Sequence, residues 1–225
     1  MKPITVLLAD DHRVVREGLR SLLAQDKRIQ VVGEAGTGRQ AVALTRQLRP
    51  AVVVMDIAMP HLNGLEATRQ ILQAQPATRV LILSAHSDAT YAEEMATLGA
   101  AGYLNKQTSA QVLAAAIRRV ESGRRVFNSA ITARLRSRRE HPPTPARSSR
   151  KRPDGLSPRE VEVLQLIAEG HSSQSIGQQL GISSRTADVH RSNIILKLDV
   201  HGTADLTRYA IAAGLIECSA RMTIN

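Results

Sequence analysis

The stretch Val52-Val53-Val54-Met55-Asp56-Ile57-Ala58-Met59-Pro60 constrains the chain most. Apolar residues run without a break into one carboxylate, and a proline follows four residues later. A short apolar run of this length predicts a strand buried on both faces of a parallel sheet. An Asp where such a strand ends sits where open α/β sheets bind ligands. The bland alternative is an Asp that caps the loop after the strand.

Around that stretch the hydrophobic period switches back and forth. Strands are predicted at Ile4–Ala9, Ile29–Glu34, from Val52, at Val80–Leu83 and at Ala101–Leu104. Helical spacing is predicted over Val14–Leu23, Ala41–Leu48, Leu65–Leu72, Thr90–Leu98 and Val112–Val120, the last with Val112, Ala116, Ile117 and Val120 on one face. This alternation predicts an α/β doubly wound, five-stranded parallel sheet with helices on both faces. Just past the strand ends stand Asp10 and Asp11, then Asp56, Ser84 and Lys106. In such a sheet these ends line one crevice. Three carboxylates gathered there repel one another unless a cation sits among them, and oxygen ligands with retained waters suit Mg²⁺. A lysine and a small hydroxyl beside that ion suit the oxygens of a phosphoryl group.

These residues carry a resemblance. Asp10-Asp11, Asp56 with Met59-Pro60, Asn63-Gly64, Ser84-Ala85, Gly102-Tyr103 and Lys106 resemble the receiver domain of a bacterial response regulator, over residues 3–120. The resemblance implies a flavodoxin-like fold in which Asp56 takes phosphate from a sensor histidine kinase. It implies Mg²⁺ on Asp11, Asp56 and the Ala58 carbonyl, with Asp10 assisting through water. Ser84 and Lys106 would contact the phosphoryl oxygens, and Tyr103 would follow the movement of Ser84. The face from about Ala89 to Val120 would then repack. Many receivers have proline after the lysine, often with a cis bond. This chain has Gln107, where a cis bond would cost about 2.5–4 kcal/mol.

Residues 136–155 contain Pro142, Pro143, Pro145 and Pro153, no large apolar residue, and a net charge of +5. Such a segment builds no core, so 121–154 is expected to be a connecting helix and an extended basic linker. The charge is that of a self-repelling spacer or of an arm that tracks DNA phosphates.

Beyond it, residues 155–217 predict a compact helical domain. Ser157-Pro158-Arg159-Glu160 is a capping box with proline at the first helical position. Val161, Leu164, Ile167 and Ala168 recur at helical spacing up to Gly170. Ser172 caps a second helix with Ile176 and Leu180 inward, and Gly181-Ile182-Ser183 is a tight turn. A third helix, capped by Ser183 or Ser184, runs to Leu198 with Ala187, Ile194 and Leu198 inward. A fourth runs from Thr203 to Ala213. Two helices joined by a short turn with Gly form a helix-turn-helix unit, whose second helix enters the major groove.

Here the residues Leu156-Ser157-Pro158-Arg159-Glu160, Ile167-Ala168-Glu169-Gly170, Leu180-Gly181-Ile182-Ser183, Arg185-Thr186, Val189-His190 and Lys197-Leu198 resemble a LuxR-type DNA-binding domain. With the receiver, the chain resembles the NarL/FixJ group: two-component regulators that bind double-stranded DNA, commonly as homodimers. The resemblance makes Asp188, Val189 and Ser192 the base-reading candidates. Arg185, Thr186, Arg191, Asn193 and Lys197 join the DNA-facing set, the basic residues and Asn193 on phosphates. Leu206, Tyr209, Ala210 and Ala213 are candidates for a dimer surface or, equally, for core packing. Ser175 stands where the family usually has Glu, Gly177 where Ala is usual, Ala187 for Val, and Asp199 for Gly. These departures predict a softer domain than typical.

Charge sharpens the picture. The net +10 divides into +6 over residues 1–135, +5 over 136–155 and −1 over 156–225, while residues 184–198 are locally +2. A basic chain suggests a polyanionic partner. Affinity per monomer is expected to be weak, which favours dimers on paired half-sites. With no Trp, one Phe and three Tyr, stacking of single strands on aromatics is a poor fit. No apolar run reaches about 18 residues, so no membrane span is expected. The N-terminus lacks a signal-peptide pattern, which predicts a cytoplasmic protein. The lone Cys218 allows no internal disulfide. A phosphohydrolase using Asp56 as nucleophile would usually carry a second Asp near it, whereas Ala58 stands two residues on; the chain is expected not to be an enzyme. A regulator working by protein contact with an impaired DNA-binding domain is the other alternative.

Overall fold

A computed structural model describes residues 2–85, 89–128, 131–133 and 155–216. The chain divides into two compact units, Met1–Ser148 and Ser149–Asn225. The first holds strands β1 (Ile4–Ala9), β2 (Ile29–Ala35), β3 (Val52–Met55), β4 (Arg79–Ser84) and β5 (Gly102–Asn105). Between and after them lie α1 (Arg13–Leu23), α2 (Gly38–Leu48), α3 (Gly64–Ala74), α4 (Ala89–Leu98) and α5 (Ala110–Glu121). All strand pairs are parallel, in the order β2-β1-β3-β4-β5. The order reverses between β1 and β3, which places a crevice at their C-terminal ends.

Successive side chains of each strand go to opposite layers. Leu7, Val53, Met55, Val80 and Ile82 pack against Ala41, Val42, Ala67, Ile71 and Met95. Val6, Leu8, Val52, Val54, Leu81 and Leu83 pack against Leu23, Leu113, Ala116, Ile117 and Val120. Burial on both faces explains why β3 is an unbroken apolar run. On α5 the predicted Ala116, Ile117 and Val120 are buried, but Leu113 takes the inward place expected of Val112, which is half exposed. Local caps fix the helix starts, with Thr37, Asn63 and Ser109 each accepting a hydrogen bond from a first-turn backbone N–H.

The chain after α5 does not continue as helix. Val126 pairs with Gly102: Tyr103 N donates to Val126 O at 2.8 Å, and Val126 N to Ala101 O at 2.9 Å. A Cβ on Gly102 would stand 2.8 Å from that Val126 oxygen, so a side chain there would push the two backbones apart. A helical turn follows at 131–133, where Ile131 is buried in the layer that holds Tyr103. The rest of the predicted linker, Cys218 and the tail 218–225 lie outside the described residues. The peptide bond at Lys106–Gln107 is trans.

The second unit contains α6 (Pro158–Ala168), α7 (Ser173–Leu180), α8 (Ser184–Leu198) and α9 (Thr203–Ala212). The capping box forms as predicted: Ser157 accepts from Glu160 N, and Glu160 accepts from Ser157 N. Ser172 caps α7 and Ser183 caps α8. Val161, Leu164, Ile167, Ile176, Leu180, Ala187 and Ile194 form the core with Leu206, Ala210 and Leu215.

Candidate functional site

Strand register brings the carboxylates together. Ala9 pairs with Met55, so the next residues, Asp10 and Asp56, leave adjacent strands at the same level. Asp10 N donates to Ala35 O at 3.0 Å and Asp56 N to Ala9 O at 2.8 Å, which carries the pairing up to the rim. Ser84 pairs with Asn105, and Lys106 N donates to Ser84 O at 2.7 Å. Lys106 is thereby anchored at the same rim. Its Nζ reaches back across β4 to Asp56 Oδ2 at 2.6 Å and Asp10 Oδ2 at 2.7 Å. Ile57 N donates to Asp56 Oδ1 at 2.8 Å, and His12 N to Asp10 Oδ1 at 2.9 Å. Asp11 is more exposed and pairs with His12 Nδ1 at 2.7 Å. Ala58 lies in a tight loop in which Gly64 N donates to Ile57 O at 2.8 Å.

Burial of Asp56 outweighs the neighbouring ammonium and, helped by the charge of Asp10, pushes its pKa up to about 6. Burial also works against the Lys106 ammonium. Its hydrogen bonds and charge contacts with Asp10 and Asp56 prevail and hold it above the ordinary lysine value. One cation thus partly neutralises two buried carboxylates. Potential ligand atoms of Asp10, Asp11, His12 and Asp56 lie within 4.8 Å of one another. A cluster of hard oxygen donors with more negative charge than one lysine offsets fits Mg²⁺. Ser84 and Tyr103 are both buried, at the end of β4 and within β5.

On the second unit the exposed face of α8 presents Arg185, Thr186, Asp188, Val189, Ser192 and Asn193, with Arg191 half-buried. Val189 and Leu196 are large apolar side chains left exposed there. Three members of the DNA-facing set bond side chains on other helices of the domain, and Thr186 Oγ1 lies 2.8 Å from Ser183 Oγ at the start of α8. Ser173 Oγ donates to Asp188 Oδ1, and Arg191 donates to Thr203 Oγ1. Lys197 Nζ bonds both Glu160 oxygens, at 2.8 and 2.9 Å, which ties α8 to the capping box of α6. Burial opposes the Glu160 charge, but Lys197 and Ser157 outweigh it and lower its pKa. These ties were not legible in the sequence, since the partners are 15, 12 and 37 residues apart.

Of the two roles held open for Leu206, Tyr209, Ala210 and Ala213, the structure shows core packing. Leu206 and Ala210 are fully buried in the domain core. Tyr209 and Ala213 are partly buried and pack against the same cluster. The stripe at 206, 210 and 213 covers the helix's own domain. Gly177 also differs from expectation. A Cβ there would stand 2.8 Å from Ile182 O and 3.1 Å from Ser184 N, so its absence lets α7 lie against the turn before α8. Asp199 takes the left-handed conformation, φ 51° and ψ 52°, that glycine adopts without penalty.

Residues 6–118 match the family described as the response regulator receiver domain, and residues 154–210 match bacterial regulatory proteins of the luxR family. The chain is a response regulator of the NarL/FixJ group. It is 37% identical over 212 residues to the response regulator UvrY of Escherichia coli K12, covering 94% of this chain and 95% of that one. The crystal structure of the response regulator ChrA of a heme-sensing two-component system superposes with TM-score 0.50. It is 33% identical, covering 96% of this chain and all of that one. A structure of two RcsB dimers bound to two parallel DNAs matches with TM-score 0.55 at 25% identity, covering 92% and 98% of the two chains. The order of matched families makes this response regulator a receiver followed by a DNA-binding domain that controls transcription. No helix among the described residues is long and apolar enough to cross a membrane.

Proposed function

We propose that Asp56 is the phosphoacceptor and that its phosphorylation by a sensor histidine kinase controls binding of homodimers to DNA. One observation carries the reading: Lys106 joins Asp56 and Asp10 in one buried cluster at the rim where β1, β3 and β5 end. An ionised Asp56 oxygen attacks phosphorus as the phosphohistidine N–P bond breaks, and the imidazole leaves with the bonding pair. The product is an acyl phosphate on Asp56. Asp10, Asp11, Asp56 and the Ala58 carbonyl would hold Mg²⁺, which neutralises charge on the transferring group. Lys106 follows the charge and supplies a second cation to the same oxygens.

The product adds roughly one and a half to two negative charges at a point already ringed by carboxylates. Lys106 then shifts from Asp10 toward the phosphoryl group, and the Ser84 hydroxyl turns to donate to it. Space beside Ser84 opens for Tyr103, and the surface from α4 to α5 repacks. On the DNA side, Asp188, Val189 and Ser192 face the bases, while Arg185, Thr186, Arg191, Asn193 and Lys197 face the backbone. The network around Lys197 and Arg191 sets the orientation of α8 before DNA arrives.

The test is phosphorylation of wild type and Asp56→Asn by a small acyl phosphate with Mg²⁺, followed by DNA binding. Wild type incorporates one phosphoryl group, lost on mild base, and its affinity for operator DNA rises. Asp56→Asn incorporates none and its affinity stays fixed. Equal incorporation by both, or an equal rise in affinity, overturns the assignment.

A further inference from the structure

We propose that Asp188 selects cytosine in the major groove and that Ser173 is the positioning residue that aims it. This rests on the reading of α8 as the groove-entering helix and adds the base that one of its side chains demands. Asp188 is the one acid within α8. It is exposed on the outward face with Arg185, Val189 and Ser192. The Ser173 hydroxyl donates to its Oδ1, and no other side chain among the described residues bonds this carboxylate. Ser173 is the first residue of α7, so the carboxylate also meets the partial positive charge of that helix start. One oxygen is thereby engaged, the side-chain direction is set, and Oδ2 remains to accept.

An ionised carboxylate accepts hydrogen bonds and donates none. In the major groove guanine presents the acceptors N7 and O6, and thymine presents O4 and a methyl group. Both repel or fail to satisfy Asp188. Adenine presents its N6 amino group beside the acceptor N7, while cytosine presents the N4 amino group with no acceptor beside it on the same base. The order of preference is therefore cytosine, then adenine, with guanine and thymine rejected. Phosphates repel Asp188 at every sequence alike, so the residue lowers nonspecific affinity and leaves one base edge to offset its lost hydration. Ser173 contributes by holding the rotamer, which limits the entropy lost when the base contact forms.

Selection of sites from randomised duplexes by the full-length, acyl-phosphate-treated protein tests this, with competition binding at single-base variants. Wild type enriches cytosine at one position of each half-site, by about tenfold over guanine. Asp188→Asn moves that position to adenine, the base an amide pairs with. Asp188→Ala levels it and raises affinity for random duplex. Ser173→Ala shrinks the cytosine preference severalfold at an unchanged melting temperature, and Ser173→Thr restores it. An unchanged base profile in both Asp188 variants overturns the cytosine assignment, as does a preference for guanine or thymine at the position they alter. An unchanged profile in Ser173→Ala overturns the positioning role alone. A wild type that selects no sequence overturns the groove-entering reading itself.

Discussion

Lys106 Nζ stands 2.6 Å from Asp56 Oδ2, although the two residues are 50 apart in the chain. The contact spans the ends of β5 and β3, and it does not fully offset the burial of Asp56, whose pKa lies near 6. In metal-free protein the folded chain keeps a proton on Asp56 up to about pH 6, whereas the unfolded chain releases it near 3.8. The folded state binds the extra proton, so stability from this group is full below 3.8 and is lost as pH rises through 6. Asp56→Asn should therefore gain on wild type by about 3 kcal/mol between about pH 4 and pH 7 in chelator. Denaturant unfolding of both proteins across that range measures the gap.

Mg²⁺ should reverse that penalty by pairing with the ionised carboxylates. A hundredfold excess over Kd should stabilise the receiver by about 2.7 kcal/mol. Since the ion requires Asp56 without its proton, Mg²⁺ affinity should fall as pH drops below about 6. Asp11→Asn and Asp56→Asn should each blunt the Mg²⁺-dependent rise in melting temperature, and Ser84→Ala should leave it. Thermal melts over a Mg²⁺ series at two pH values give the answer.

Leu206 belongs to the core of the DNA-binding domain. Leu206→Ala should destabilise that domain by about 2–5 kcal/mol. A variant that melts like wild type while losing dimerisation would place Leu206 at an interface instead. Melting combined with sedimentation of the protein–DNA complex distinguishes the two.

Reverting two departures from the family pattern should have unequal effects. Asp199→Gly removes a left-handed non-glycine residue and an acid at a helix C-terminus, and should add about 1 kcal/mol. Gly177→Ala gains about 1 kcal/mol of helix propensity, but its Cβ meets backbone at 2.8 Å. It should yield no net gain, read from the second unit's unfolding transition in the full-length protein.

The receiver was legible from sequence because Asp10, Asp56 and Lys106 each stand just past a strand run that can be seen. Register then carries Asp10, Asp56 and Lys106 to one rim without further information. On α5, Val112 and Leu113 both fit a helical period with Ala116 and Val120; the neighbouring α1 and sheet decide for Leu113. Leu206, Ala210 and Ala213 illustrate a different limit. An apolar stripe looks the same whether it covers its own domain or a partner. The pairing of Val126 has no sequence signature, because one bridged residue after a helix leaves no periodic signal. The tie of Ser173 to Asp188 joins two polar residues on different helices, and no local pattern announces it.

The backbone pairing of Val126 with β5 has a consequence for how the molecule meets its neighbours. A sheet margin with unsatisfied amides and carbonyls invites strands from other chains. Here the protein's own continuation occupies part of the β5 margin, at the strand that bears Tyr103 and leads to Lys106. A foreign strand would meet that part of the margin already occupied, and β2 is left as the sheet's other border.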